Sequence, residues 1–309
     1  MDHLQEFQRC RPLLFSIAYR MLGSASDAED ILQDAWLRFA RAGDAEVRSA
    51  KGYLTTIVTR LCLDHLKSAR VSREQYVGPW LPEPILTEGD AQPEQSAVLA
   101  ESLTLAFMVL LDTLSPDERA VFLLREIFEY SYAEIAEMLG SSEANCRQLF
   151  HRARQRVAAR EPRSSRPYEE KQQLAERFAR ALRDGDGDAL ASVLAADVGF
   201  WGDGGGKVPA TGRPVYGRPS VLNLLLGIRR VAAAMGVTMD DVGLQVREVN
   251  REPAILVRVR GQLNSVYTFT MRDDAISVIR VIRNPDKLGF IDAQLSGGVS
   301  SAPLLAPGP

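Results

Sequence analysis

The chain has 309 residues, 46% of them hydrophobic and 25% charged, a balance that excludes a disordered protein and a length that excludes one ordinary compact domain. A formal charge of -3 excludes a uniformly basic nucleic-acid coat, so any DNA contact must come from a local basic face. Cys10, Cys62 and Cys146 are three, far apart and without paired ligand spacing, which predicts reduced thiols in a cytosol and no metal. The opening MDHLQEFQRC lacks the apolar core of a signal peptide, and no later stretch has the length to cross a bilayer. The expectation is a soluble, cytoplasmic protein with no membrane partner.

From about Leu4 to Arg70 apolar residues recur at three- and four-residue steps, first Leu13, Leu14, Ile17, Ala18 and Met21, then Ile31, Leu32, Ala35, Trp36 and Phe39. This predicts a helical module over residues 1–71, with a Ser26/Asp27 cap opening its second helix and a third helix from about Ala50 to Ala69. Residues 72–95 read SREQYVGPWLPEPILTEGDAQPEQ, where Pro79, Pro82, Pro84 and Pro93 forbid helix and predict a linker. Its Trp80, Leu81, Ile85 and Leu86 are unusual in a spacer, since burying each contributes about 1.5–3 kcal/mol, and they predict docking on another surface.

Helical periodicity returns over 96–160, with Leu114-Ser115-Pro116 marking a helix start. Its most informative stretch is YSYAEIAEMLGSSEANCRQLFHRARQRV, Tyr130 to Val157. Two short helices flank Gly140-Ser141-Ser142, with Ile135, Ala136 and Leu139 facing Cys146, Leu149 and Phe150, which is helix-turn-helix spacing. The second helix presents Asn145, Arg147, Gln148, His151 and Arg152 outward. Arg, Gln and Asn pair bidentately with base edges, while Arg152, Arg154 and Arg156 can neutralise phosphates. On sequence only Glu143 opposes this basic face before Glu161. A charge run alone reads better as a solvated helix; the turn, the small Ala136 and the basic second helix together favour DNA binding.

A basic joint, REPRSSRP at 160–167, precedes a third module over 168–295. It opens with an amphipathic helix carrying Leu174, Phe178, Ala181 and Leu182 and continues in strand-like runs, Leu244 to Val249, Ile255 to Val259, Ser265 to Thr270 and Ala275 to Ile282. This module is α+β. The tail 296–309, rich in Gly and Pro, is expected to be disordered.

The helix-turn-helix segment resembles region four of the extracytoplasmic-function sigma factors, which binds the promoter -35 element. The resemblance assigns -35 contacts to Arg147, Gln148, His151 and Arg152, which with Asn145 and Arg154 of the face read above make six candidate -35 contacts. Leu149 departs from the pattern, where Arg is common, and leaves the preferred -35 sequence open. DAEDILQDAWLRFA resembles the region-two helix that docks on the polymerase β′ subunit, which makes Asp30, Gln33, Asp34 and Trp36 the candidate polymerase contacts. An acidic helix with an aromatic anchor suits a basic partner. GDAEVRSAKGYLTTIVTRLCLDHLKSAR resembles the -10-reading part of the same region, with Lys51, Arg60, Lys67 and Arg70 as candidate backbone contacts and Tyr53 as the candidate aromatic. Relatives often carry Trp at the Tyr53 position and Asn at the Arg60 position.

The third module resembles the SnoaL-like branch of the nuclear-transport-factor-2 fold, a curved sheet and helices around a conical pocket. WLPEP at 80–84, DGGGK at 203–207 and NPDKL at 284–288 are together similar to the signatures of the SnoaL-fused, sigma-J-like subgroup. The fold implied is multidomain: two all-α sigma domains, a region-two bundle and a region-four helix-turn-helix, then an α+β cone domain. The function implied is an alternative sigma factor that works with core RNA polymerase, its β′ and β subunits, and promoter DNA, regulated in cis by the fused domain. The candidate regulatory contacts are Trp80, Leu81, Pro82, Trp201, Asp203, Lys207, Asn284, Asp286 and Lys287. The three glycines of DGGGK suggest amides free for an anion or a neighbouring chain, and Asn284-Pro285 suggests a turn after the last strand.

Neither cofactor nor catalytic residue is expected, and the module's pocket is left open to an unidentified small ligand. One rival reading makes Asp203, beside Trp201, a pocket base of a polyketide-cyclase-like enzyme, although no residue pair has diagnostic acid–base spacing. Another is a helix-turn-helix activator with a ligand-binding domain, which leaves the N-terminal module unexplained.

Overall fold

The computed structural model describes residues 2–42, 49–74, 76–88, 100–158 and 166–297, with the side chains of 69–74 excepted. Arg70's side chain, most of the 160–167 joint and nearly all of the tail therefore lie outside the described residues. The chain forms two compact units, one from Met1–Gln75 and Gly89–Glu161, the other from Tyr76–Glu88 and Pro162–Val299.

The first unit opens with α1 (His3–Leu22), whose first amides are capped by Asp2 and which stops at Gly23, at a φ of 71°. The second helix, α2 (Ala25–Phe39), is capped by Ser24, two residues before the cap predicted from sequence. The third, α3, runs Ala50–Glu74, past its predicted end. Leu14, Ile17, Met21, Leu32, Phe39, Leu54 and Val58 are buried where these helices meet. The chain continues through α4 (Leu105–Leu111), α5 (Pro116–Phe122), a π-helical turn Leu123–Ile127, α6 (Tyr132–Leu139) and α7 (Glu143–Ala158). Capping boxes at Ser115/Glu118 and Ser131/Glu134 fix the starts of α5 and α6.

Polar contacts join these two helical groups. The largely buried Arg119 donates to the Met21 carbonyl at 2.7 Å and to Asp112 at 2.8 Å. Arg20, also buried, donates to Ser102 at 2.8 Å, and the Thr55 and Tyr130 hydroxyls meet at 3.2 Å. Cys10, Cys62 and Cys146 are buried and free, and burial pushes each thiol up.

The second unit contains α8 (Tyr168–Asp184), α9 (Gly187–Val193), β1 (Leu194–Asp203), β2 (Val215–Tyr216), α10 (Arg218–Ala234), β3 (Val242–Val249), β4 (Glu252–Val259), β5 (Gln262–Arg272), β6 (Ala275–Ile282) and α11 (Pro285–Leu295). Strand order is β2-β1-β6-β5-β4-β3; β1 and β6 are parallel and the other neighbours antiparallel. The strand β1 was not expected from sequence, because Gly199, Gly202 and the flanking DGGGK break its alternation. Period two sorts the sheet into two faces. The inner one carries Val198, Phe200, Ile255, Phe269, Ile279 and Val281 against Phe178, Val221 and Leu225 of the helices. NPDKL is a helix start rather than a turn: Asn284 caps α11 and Pro285 occupies its first position.

Candidate nucleic-acid interface and linker clamp

The helix α7 is presented by the turn that sequence predicted. Gly140, at a φ of 62°, ends α6, and Ser142 accepts the Asn145 amide at 3.2 Å to open α7. Cys146 and Leu149 are buried against Ile135 and Ala136, which leaves Asn145, Arg147, Gln148, His151, Arg152 and Arg154 exposed. The face is less free than its sequence suggested. Glu118 of α5 is buried, accepts from Arg156 at 2.7 Å and stands 3.8 Å from Arg152, so a second acid opposes the arginines. Arg147 pairs with Glu143 at 2.8 Å, and Asn145 donates to Ser141. Sequence reasoning missed Tyr132 and Arg125: the guanidiniums of Arg125 and Arg147 each lie 5.1 Å from the Tyr132 ring centroid. The stack anchors Arg147.

On α2, Asp30, Gln33 and Asp34 are exposed, and Leu37, which sequence reasoning passed over, is 46% exposed beside them. Their spacing puts all four on one stripe. Trp36 is half-buried and packs on Phe7, with centroids 5.2 Å apart, so it supports the helix from behind as well as facing outward. On α3, Lys51 and Tyr53 are partly exposed, Tyr53 lying 6.1 Å from Phe39. Two other candidates already hold protein groups. Arg60 donates to the carbonyls of Met138 and Glu137, at 2.8 and 3.2 Å, and Lys67 stands 3.8 Å from Asp117.

Within the second unit, residues 76–88 lie on the domain rather than beside it. Leu81, Ile85 and Leu86 are at most 8% exposed. At the N-terminal end Asp203, fully buried, accepts from the Tyr76 hydroxyl at 2.5 Å, the Leu81 amide at 2.8 Å and Lys287 at 2.7 Å. Lys287 also donates to the Leu81 carbonyl, and its ammonium stands over the rings of Trp80 and Tyr76, at 4.3 and 4.8 Å. Asn284 donates to the Tyr76 hydroxyl at 3.0 Å. A buried carboxylate is thus matched by one ammonium and neutral donors, the arrangement a buried charge requires. Burial first, and the Asp203 carboxylate second, push the Tyr76 phenol up.

Gly205 explains part of DGGGK. It sits at a φ of 59° with the Asn284 carboxamide where a Cβ would stand, and its amide donates to Asp203 at 3.1 Å. That amide therefore serves the internal turn, not an external anion. Lys207 and Asp286 bind each other at 2.6 Å on the surface. Trp201 departs from the predicted set, meeting Tyr216 edge-on at 5.5 Å.

The C-terminal end of the segment pairs as a strand would. Leu86 bridges Val249, Thr87 donates to the Glu248 carbonyl at 3.2 Å, and Asn250 donates to the Ile85 carbonyl at 3.0 Å. Asn250 and Arg251 form the β3–β4 turn at φ of 52° and 62°, the conformation of a two-residue hairpin turn. The Arg251 amide donates to the Thr87 hydroxyl at 2.9 Å, so the linker satisfies the turn it covers. Gln294 of α11 accepts the Leu86 amide at 2.9 Å. Glu88 closes the segment on Arg247, accepting from Nε at 2.7 Å.

Comparison with known proteins agrees with this layout. The Sigma-70 region 2 model matches residues 7–71 and the Sigma-70, region 4 model matches 104–157. The ECF RNA polymerase sigma factor SigJ of Mycobacterium tuberculosis (strain ATCC 25618 / H37Rv) is 39% identical over 289 residues, 92% of each chain. The probable ECF sigma factor SigI of the same organism is 32% identical over 93% of this chain and 95% of its own. The crystal structure of M. tuberculosis SigJ superposes with a TM-score of 0.71 at 36% identity, covering 92% of this chain and 98% of that one. Relatives that share both DNA-binding regions and span the third domain leave one assignment: the chain belongs to the extracytoplasmic-function RNA polymerase sigma factors.

Proposed function

We propose that this sigma factor reads its promoter with two separate helical faces and that the α+β domain regulates it in cis by holding the segment that joins them. The α2 stripe of Asp30, Gln33, Asp34 and Leu37, backed by Trp36, is the surface for the β′ subunit. Lys51, Tyr53, Arg60, Lys67 and Arg70 of α3 serve the -10 strand, with Arg60 and Lys67 first leaving their present partners. The outward set of α7 serves the -35 element. The protein acts in the cytoplasm, where core polymerase and promoter meet.

The observation that carries the regulatory reading is the clamp on residues 76–88, which closes over both ends of the segment. A free tether fixes no spacing, whereas a tether seated on a folded domain has one length. Run-off transcription with core polymerase tests this on promoters whose -10 to -35 spacing differs by one to three base pairs. Asp203→Ala with Lys287→Ala, and a chain lacking residues 168–309, should both change the preferred spacing or the yield. Unchanged output from both overturns the proposal. Neither rival reading gains support. Asp203, the candidate enzymatic base, has both carboxylate oxygens engaged by the linker and Lys287, and the region-two match is foreign to a simple activator. The inner face of the sheet is filled by Phe178, Phe200, Tyr267 and Phe269.

A further inference from the structure

The outer face of the sheet, which carries Asp203, holds a second polar group that the linker clamp does not use. Register places Trp201 of β1, Arg280 of β6 and Thr268 of β5 in one lateral row. The adjoining row is Gly199, Val278 and Thr270. Both long side chains of the first row lean into the second. Arg280 donates from Nη1 to the Thr270 hydroxyl at 2.8 Å. The Trp201 ring lies 2.5 Å from where a Cβ on residue 199 would stand, so glycine alone admits it there. The ring thereby lies on the Gly199 and Tyr216 side of its row, and the guanidinium on the Thr270 side.

Two features of this row are left incomplete. Arg280 is half-buried, and among the described residues no carboxylate is paired with it and Thr270 is its one hydrogen-bond acceptor. Thr268 is 3% exposed, and among the described residues its hydroxyl has no hydrogen-bond partner. A partly buried cation facing neutral groups and a buried hydroxyl without a partner each cost free energy that a bound anion would recover. Burial lowers the Arg280 guanidinium to about 10, which leaves it cationic at neutral pH. Its planar fork of N–H donors matches a carboxylate.

We propose that the Trp201–Arg280–Thr268 row binds a small monocarboxylate with a flat apolar body, its carboxylate on Arg280 and Thr268 and its body against Trp201. One guanidinium compensates one negative charge, so a dianionic phosphate would carry an uncompensated charge into the same buried row. The site stands one pleat from the linker clamp: Asp203 follows Trp201 by two residues on β1, about 7 Å along the strand. An occupant would therefore abut the groups that hold Leu81.

The test uses the full chain, with benzoate, acetate and inorganic phosphate as probes, read by calorimetric titration and by thermal unfolding. Benzoate should bind saturably at one per chain and raise Tm, acetate should bind at least tenfold more weakly, and phosphate should not saturate. Arg280→Met should weaken benzoate by tenfold or more, and the near-isosteric Thr268→Val by several-fold. Thr268→Val retains the guanidinium and keeps the test decisive if Arg280→Met fails to fold by circular dichroism. Absence of saturable benzoate binding to the wild type, or equal binding by the folded variants, overturns the site; tighter binding of phosphate overturns its assignment to a carboxylate.

Discussion

Asp203 and Lys287 are almost fully buried, and each satisfies the other's charge while holding one backbone group of Leu81. Removing one charge of such a pair leaves the other uncompensated at a cost of about 3–5 kcal/mol, whereas replacing both with apolar groups is often near neutral. Lys287→Met should therefore lower the urea midpoint of the second unit sharply, and Asp203→Leu with Lys287→Met should recover part of that loss. A double-mutant cycle in urea measures the coupling. Glu88 behaves differently because it is more open. The Arg247 guanidinium, outweighing burial, holds its carboxyl below the ordinary carboxylate value. A depressed carboxyl contributes stability that is fully present above its unfolded value and is lost as pH falls through the folded one. Protection from hydrogen exchange of the Thr87 and Glu248 amides, the second of which donates to the Glu88 carboxylate, should thus persist at pH 5 and fall below about pH 4. Glu88→Gln should be less protected at pH 5 and change little across that window; a wild-type profile in the variant would count against the pairing.

Among the elements, the linker segment and α7 show how much each local sequence can say. Pro79, Pro82 and Pro84 announced that 76–88 is not helical, and its apolar residues announced that it docks. Where it docks depends on β1, a strand disguised by its glycines, and on the Asn250–Arg251 turn, which offers amides only in its folded form. Ile85 is fully buried in that contact. Ile85→Ala should destabilise the second unit by about 2–5 kcal/mol and expose 76–88 to protease. The helix α7 was legible because its turn, caps and outward bases are contiguous. Its opposing acid was not, since Glu118 reaches Arg156 from 38 residues away. For α7, Arg147→Ala should cost about 1–3 kcal/mol and relax preference at one base of the -35 element, read by binding to a set of single-base variants. Exposed Arg154, a phosphate candidate, should instead weaken all sequences alike and lower the salt slope by about one when changed to Ala.

At the scale of the whole molecule, the chain leaves the first unit after residue 75, contributes Tyr76–Glu88 to the second, and returns to the first. The segment between two DNA-binding modules is therefore structurally part of a third domain encoded after both. A chain ending before residue 168 retains Leu81, Ile85 and Leu86 without the sheet that covers them. Limited proteolysis should cut that truncated chain within 76–88 and spare the same bonds in the full-length protein; equal cleavage of both would show that the segment is not held in solution. Among the described residues no helix is long and apolar enough to cross a membrane.

By itself the sequence determined the helical modules, the helix-turn-helix and the strands from Leu244 onward, because period, caps and turns are encoded within a dozen neighbouring residues. The resemblance to the SnoaL-fused subgroup, not the residues alone, marked WLPEP, DGGGK and NPDKL as related. Only the tertiary structure decided what relates them: a buried carboxylate from β1, an ammonium from α11 and a linker amide come together across separations of 84 and 122 residues. It likewise decided that Arg60 and Arg156 are engaged, that Trp201 turns toward Tyr216, and that Arg280 meets the Thr270 hydroxyl. Charge compensation is settled in three dimensions, and a sequence lists the charges without saying which of them meet.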